Sequence, residues 1–307
     1  MDAFAATRLL IGTAFLLVAA VSDVRTRKVR DPLWIGLGSI GLVLLAVQLA
    51  LDTWDPSAAA LLGSSAILFY AIFFGAPLIE EDGFHPRPLR LALFGLAAVL
   101  FVTPAAIHAA SGDSLPPGTL ELYSMPVMVI VYQGFYRARL LHGGADAKAL
   151  IALNLLVPTY PDLTPLPVLG PDPRLEGVLR IVFPFSLVTW VDAAVLFLAV
   201  PVVLLVVNAI RGDLAFPQAL LGYRVRSNSV PRHAWLMEKI DRRGDHMLVL
   251  FPKRGGNPAA DLARLRDAGI DRVWVTPQIP FMVPLLGGFL LAFLVGNILL
   301  AIPRLGA

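Results

Sequence analysis

Residues 3–22 read AFAATRLLIGTAFLLVAAVS, and the chain continues DVRTRKVR over residues 23–30. A helix needs roughly 20 mostly apolar residues to cross the hydrocarbon core of a bilayer, and this stretch meets that length. A cleaved secretory signal carries its positive charges ahead of the apolar run, whereas Arg25, Arg27, Lys28 and Arg30 come after it. The stretch therefore reads as an uncleaved first span that enters with its N-terminus outside and delivers a basic end to the cytoplasm.

Working outward, further apolar runs occupy about residues 33–51, 57–79, 91–111, 120–138, 146–158, 181–208 and 280–302. With 57% hydrophobic and 15% charged residues over 307 positions, and a mean hydropathy of +0.73, the chain is too apolar for a water-soluble globule. The expected fold class is membrane all-α, a polytopic bundle of about eight (six to nine) transmembrane helices in the cell membrane. If the N-terminus is outside, the cytoplasmic loops are 23–32, 80–90, 139–145 and 209–279, and these are the basic ones. On the opposite side, 52–56 and 112–119 hold no Lys or Arg, and 159–180 hold only Arg174 and Arg180. The positive balance thus marks topology and meets anionic lipid of the bilayer, so no nucleic acid is expected as a partner. The absence of cysteine excludes disulfides, thiolate catalysis and cysteine-ligated zinc or iron–sulfur centres.

Residues 209–279 are the one long stretch able to form a soluble unit. The run from His246 to Pro252 and that from Val273 to Thr276 are strand-like. Between them, Asn257 suits an N-cap, Pro258 the first helical position, Leu262 and Leu265 an apolar stripe, and Gly269 a helix stop. A small cytoplasmic α+β domain is expected, which divides the chain into a membrane core (1–208), the domain (209–279) and a C-terminal transmembrane helix (280–307).

Ionisable residues at the border of a span are costly, and they direct attention to the boundary carboxylates. Asp23 closes the first span, and Asp146 opens the sixth directly after Gly143, Gly144 and Ala145. The end of an odd span and the start of an even one share a face, so both aspartates fall on the cytoplasmic side. Two carboxylates in one site do not both ionise easily, and such a pair can split the work of hydrolysis. One takes a proton from water while the other polarises the scissile carbonyl. Glycine ahead of Asp146 permits close approach of an extended peptide, and Lys148 adjusts the local field. The plainer alternative makes Asp146 an acid favoured at a helix N-terminus and Asp23 a solvated residue among arginines; spacing leaves both open. Asp31-Pro32 reads as an N-cap followed by proline at the first helical position. Asp192, inside the seventh span, either hydrogen-bonds across helices or joins a polar cavity. Glu80, Glu81 and Asp82 read as a solvated run, and His142 as a candidate substrate contact.

Two segments carry a resemblance. Ser22-Asp23-Val24-Arg25-Thr26-Arg27-Lys28-Val29 and Gly143-Gly144-Ala145-Asp146-Ala147-Lys148-Ala149-Leu150 resemble the two aspartate motifs of the archaeal type IV prepilin and preflagellin (archaellin) peptidases. These are membrane aspartic proteases of the Gly-x-Gly-Asp class. Leu221-Gly222-Tyr223-Arg224 and residues 273–280 are similar to the C-terminal region of longer euryarchaeal members. Ala145 stands where the family has glycine, and Arg30-Asp31 where many members have Pro-Asn. The resemblance implies an aspartic endopeptidase that removes a short basic leader from a type IV pilin-like or archaellin precursor on the cytoplasmic side. In that reading Asp23 and Asp146 are catalytic, and Gly143, Gly144, Ala145 and Lys148 serve the substrate or support the pair, with Asp192 a further candidate. No cofactor and no metal are implied. Bacterial relatives also N-methylate the new terminus and often carry a cysteine-rich zinc domain; this cysteine-free chain is expected to be a protease only.

Rival readings make different demands. A presenilin-like protease needs Tyr-Asp and Pro-Ala-Leu motifs, and neither occurs. A transporter would use Asp146 and Asp192 in a polar path, and a non-catalytic membrane subunit would use 209–279 to dock a partner.

Overall fold

In the computed structural model, all of the chain is described except residues 1, 53, 76–77, 81–82, 142, 170–175, 242, 253–256 and 299–307. It separates into two compact units, Met1–Ala194 with Phe281–Ala307, and Val195–Pro280.

The first unit begins with α1 (Ala3–Thr26), α2 (Asp31–Leu51) and α3 (Pro56–Phe73). A short antiparallel pair, β1 (Ile79–Glu80) and β2 (Gly83–Phe84), leads into α4 (Pro88–Ser111). α5 (Pro117–Leu122), α6 (Ser124–Arg137), α7 (Gly144–Leu156), α8 (Glu176–Val182) and α9 (Phe185–Phe197) follow. The second unit contains α10 (Ala199–Ile210), α11 (Gln218–Leu221), β3 (Tyr223–Arg226), β4 (Ala234–Leu236), β5 (Glu238–Ile240), β6 (His246–Leu248), α12 (Pro258–Asp267) and β7 (Arg272–Pro277). The chain then returns to the first unit as α13 (Met282–Leu294).

α7 is the axis of the helical unit. Every residue from Ala149 to Leu156 is buried, and the helix packs against α1, α2 and α6. A helix that is apolar all round belongs inside a bundle, and this one is enclosed by its neighbours. Helices in lipid gain little by burying leucine against leucine, so close van der Waals fit decides the packing. Gly41 supplies that fit: a Cβ there would lie 2.6 Å from the backbone of Leu155 and Leu156. A polar chain adds register. Tyr132 Oη donates to Ser186 Oγ (2.9 Å), Ser186 Oγ to Asn154 Oδ1 (3.1 Å), and Asn154 Nδ2 to the Met125 carbonyl (2.9 Å), joining α6, α9 and α7.

Five helical runs among the described residues are long and apolar enough to cross a bilayer: α1, α2, α3, α4 and the stretch Phe185–Ile210. The count of about eight is not reproduced, and the reason is physical. The apolar run 120–138 is broken at Tyr123 into α5 and α6, and α7 has 13 residues, about 20 Å at 1.5 Å per residue. Hydropathy reports apolar content, which burial among other helices demands as strongly as lipid does. The end of the expected last span falls partly outside the described residues.

In the second unit, β7 is the central strand of an antiparallel sheet ordered β3-β7-β4, and β5 pairs with β6. Val273 and Val275 pack with Leu265 of α12, while the alternate residue Trp274 packs with Ala219 and Met237, so both faces of β7 are covered. Asn257 caps α12 through the Ala260 N–H (3.2 Å), Pro258 opens it, and Gly269 follows it with φ 76°. The compact unit runs from Val195, with α10 packed on α11 and β3.

Candidate functional site

Asp23 lies in the last turn of α1. The helix stops at Arg27, which adopts the left-handed conformation (φ 55°) and returns its N–H to the Asp23 carbonyl (2.9 Å), with Nη1 donating to the same oxygen (3.2 Å). Ser22 Oγ and Thr26 Oγ1 both reach the Lys28 carbonyl (2.8 and 3.0 Å), which fastens the basic turn to the helix end. Asp23 is half-buried, and its Oδ2 accepts the backbone N–H of Met282 (3.2 Å), the first residue of α13. An unsatisfied N–H at a helix start is a natural partner for a carboxylate.

Asp146 sits in the first turn of α7, also half-buried. Its N–H donates to the Gly143 carbonyl (3.1 Å), and its carboxylate folds back over the Gly143 α-carbon. A Cβ at residue 143 would collide with Oδ2 and Cγ of Asp146. Gly143 has φ −106° and ψ 123°, open to any residue, so it is the carboxylate and not the backbone that requires glycine here. Gly144 lies beside the Tyr136 ring, and Ala145 packs against the core of the helical unit.

Lys148, two residues beyond Asp146, places a cation at a helix N-terminus, where the macrodipole opposes it. It is compensated by Asp31: Nζ lies 2.7 Å from both carboxylate oxygens and 5.2 Å from the centre of the Phe73 ring. Asp31 was expected to cap α2. Instead α2 begins at Asp31 with Arg30 at the cap position, there is no side-chain cap bond, and the carboxylate is committed to Lys148. The structure thus joins the start of α2 to the first turn of α7 by an ion pair that residue spacing did not reveal. A lysine in the first turn of a helix was the available signal, since such a cation calls for an acidic neighbour.

Asp192 is fully buried in α9. Its Oδ1 accepts the Ile298 N–H (3.3 Å), and Oδ2 has no partner among the described residues. Its hydrogen bond runs to the segment after α13. His142, Glu81 and Asp82 lie outside the described residues.

Residues 215–298 match a family model described as Archaeal Peptidase A24 C-terminus Type II. A preflagellin peptidase of Methanocaldococcus jannaschii is 26% identical over 184 residues, covering 57% of this chain and 71% of that protein. A preflagellin peptidase of Methanococcus voltae is 22% identical over 300 residues, covering 95% of this chain and 96% of its own length. These matches support assigning the chain to the archaeal preflagellin peptidase family. The matched segment takes in the whole β3-β7-β4 sheet and α13, including Leu221 to Arg224 and residues 273–280.

Proposed function

We propose that the chain is a membrane aspartic endopeptidase that removes the leader of an archaellin-like or pilin-like precursor, with Asp23 and Asp146 as its catalytic pair. The observation that carries the pairing is the Lys148–Asp31 bridge, which ties the helix turn bearing Asp146 to the junction that follows Asp23. Both aspartates are half-buried at helix ends; the Asp23 carboxylate accepts the Met282 N–H, and the Asp146 carboxylate lies against Gly143.

The chemistry follows from two carboxyl groups that hold one proton between them. The ionised member removes a proton from water as the oxygen attacks the scissile carbonyl carbon. The protonated member donates to the carbonyl oxygen, giving a tetrahedral diol. As the diol collapses, one of its hydroxyls returns a proton to the ionised member while the other member protonates the departing amine, so the carboxyl product forms and the starting protonation is restored. Arg25, Lys28, Arg30, Arg137 and Arg139 flank the two site segments, and this basic border supports a cytoplasmic site by the positive-inside rule. A precursor whose apolar helix lies in the bilayer would present its leader junction at that border. The transporter and non-catalytic readings draw no support from relatives that carry peptidase names.

The test is reconstitution of the purified chain with an archaellin precursor, with the products read by intact mass. A single cut ahead of the apolar helix, made from the cytoplasmic face of sided vesicles, is expected. Intact precursor across a panel of archaellins and pilins would overturn the substrate class.

A further inference from the structure

The chain leaves α10 through a loop that carries exposed apolar side chains. Ile210 is the last residue of the apolar run Phe185–Ile210, and polar residues are what normally follow such an end. Here Arg211 and Gly212 follow, and residues 213–216 then alternate inward and outward. Asp213 is buried and held by Arg272 (Nη1 to Oδ1 3.1 Å, Nη2 to Oδ2 2.5 Å), and Ala215 packs against the Ala219, Met237 and Trp274 core. Between and after them, Leu214 is 60% exposed and Phe216 is 69% exposed, with Ile210 and Arg211 exposed at the helix end. The inward residues fix the backbone, so the two outward apolar side chains are presented by a built loop.

Charge points the same way. Residues 195–280 hold 12 of the chain's 25 Lys and Arg but 7 of its 22 Asp and Glu, so this unit is net positive while the remainder is net negative. Exposed apolar side chains a few residues beyond the end of a membrane-length apolar run, on a unit with surplus positive charge, fit an anionic lipid surface.

We propose that the loop of residues 211–217 is a lipid wedge: Leu214 and Phe216 insert at the boundary between headgroups and acyl chains, and anionic headgroups hold the basic sheet unit against the bilayer. This goes beyond the peptidase reading and stands without it. The wedge restrains the sheet unit at the membrane surface.

The absence of cysteine makes the test direct. Full-length Phe216→Cys and Leu214→Cys, with Asp267→Cys on α12 as the exposed control, are labelled with an environment-sensitive fluorophore. They are placed in nanodiscs of mixed phosphatidylcholine and phosphatidylglycerol. The wedge positions should show blue-shifted emission, quenching by shallow nitroxide lipid, and roughly threefold less iodide quenching than the control. This protection should fall when phosphatidylglycerol is replaced by phosphatidylcholine. Iodide quenching equal to the control at both positions would overturn the proposal. Protection without nitroxide quenching would overturn it in favour of a protein contact, and protection indifferent to phosphatidylglycerol would remove the anionic headgroup from it.

Discussion

Gly143→Ala separates the position of the Asp146 carboxylate from the stability of the fold. The backbone at residue 143 is extended and accepts alanine without strain, and loss of glycine restricts the unfolded chain, which alone would stabilise by about 0.4–1 kcal/mol. The added methyl would overlap Oδ2 and Cγ of Asp146, and the nearest atoms it meets all belong to that one rotatable side chain. The methyl is accommodated by displacing that side chain and not the backbone, so the thermal midpoint in detergent should change little. The carboxylate, however, moves by the order of an ångström, and a shift of that size at a reacting group lowers rate by roughly 10²-fold. Steady-state cleavage of a precursor, measured beside thermal unfolding, reads both quantities on one preparation. Wild-type cleavage by Gly143→Ala would refute the claim that Asp146 works from its place over Gly143. A large loss of stability would refute the claim that only the carboxylate crowds this position.

Further outcomes rest on the packing and the charges. The Lys148–Asp31 pair is partly exposed, with side-chain exposures of 27% and 51%, so breaking it should change stability by no more than about 1 kcal/mol. Its effect belongs in the pH–rate profile: Lys148→Met leaves an uncompensated anion near the pair and should move the acid limb to higher pH, whereas Asp31→Asn leaves a cation and should move it lower. Equal displacement in one direction would make the bridge purely mechanical. Asp192→Asn keeps an oxygen for the Ile298 N–H and should leave cleavage unchanged, and a lost activity with intact fold would bring Asp192 into the mechanism. Gly41→Ala forces α2 away from the Leu155 backbone and should destabilise the bundle by about 1–3 kcal/mol. Gly95→Ala in α4, where a Cβ meets nothing within 4 Å, should not lower the thermal midpoint.

The membrane class and the sheet unit were legible because both rest on local pattern. Asn257, Pro258 and Gly269 bound α12 by chemistry that acts within a few residues, and Val273 with Val275 alternate with Trp274 as a covered strand must. The helix count was not legible. α7 owes its apolar character to neighbours on every side, and neither the break at Tyr123 nor the short length of α7 alters hydropathy. In the site, Asp23, Gly143 and Asp146 stood out as residues at span borders. The Lys148–Asp31 pair did not, because it links residues 117 apart and Asp31 had an adequate local reading as a cap. The Tyr132–Ser186–Asn154 chain was hidden for a similar cause, since isolated polar residues in apolar runs become a network only once α6, α7 and α9 are side by side.

The most direct measurement is co-expression of the chain with a tagged archaellin precursor, scoring the leader-sized mobility shift for wild type, Asp23→Asn and Asp146→Asn. Asparagine keeps shape and an acceptor oxygen at both sites, so the account predicts folded, membrane-inserted variants that leave the precursor intact while wild type cleaves it. Cleavage by either folded variant at the wild-type rate would contradict the paired-aspartate mechanism.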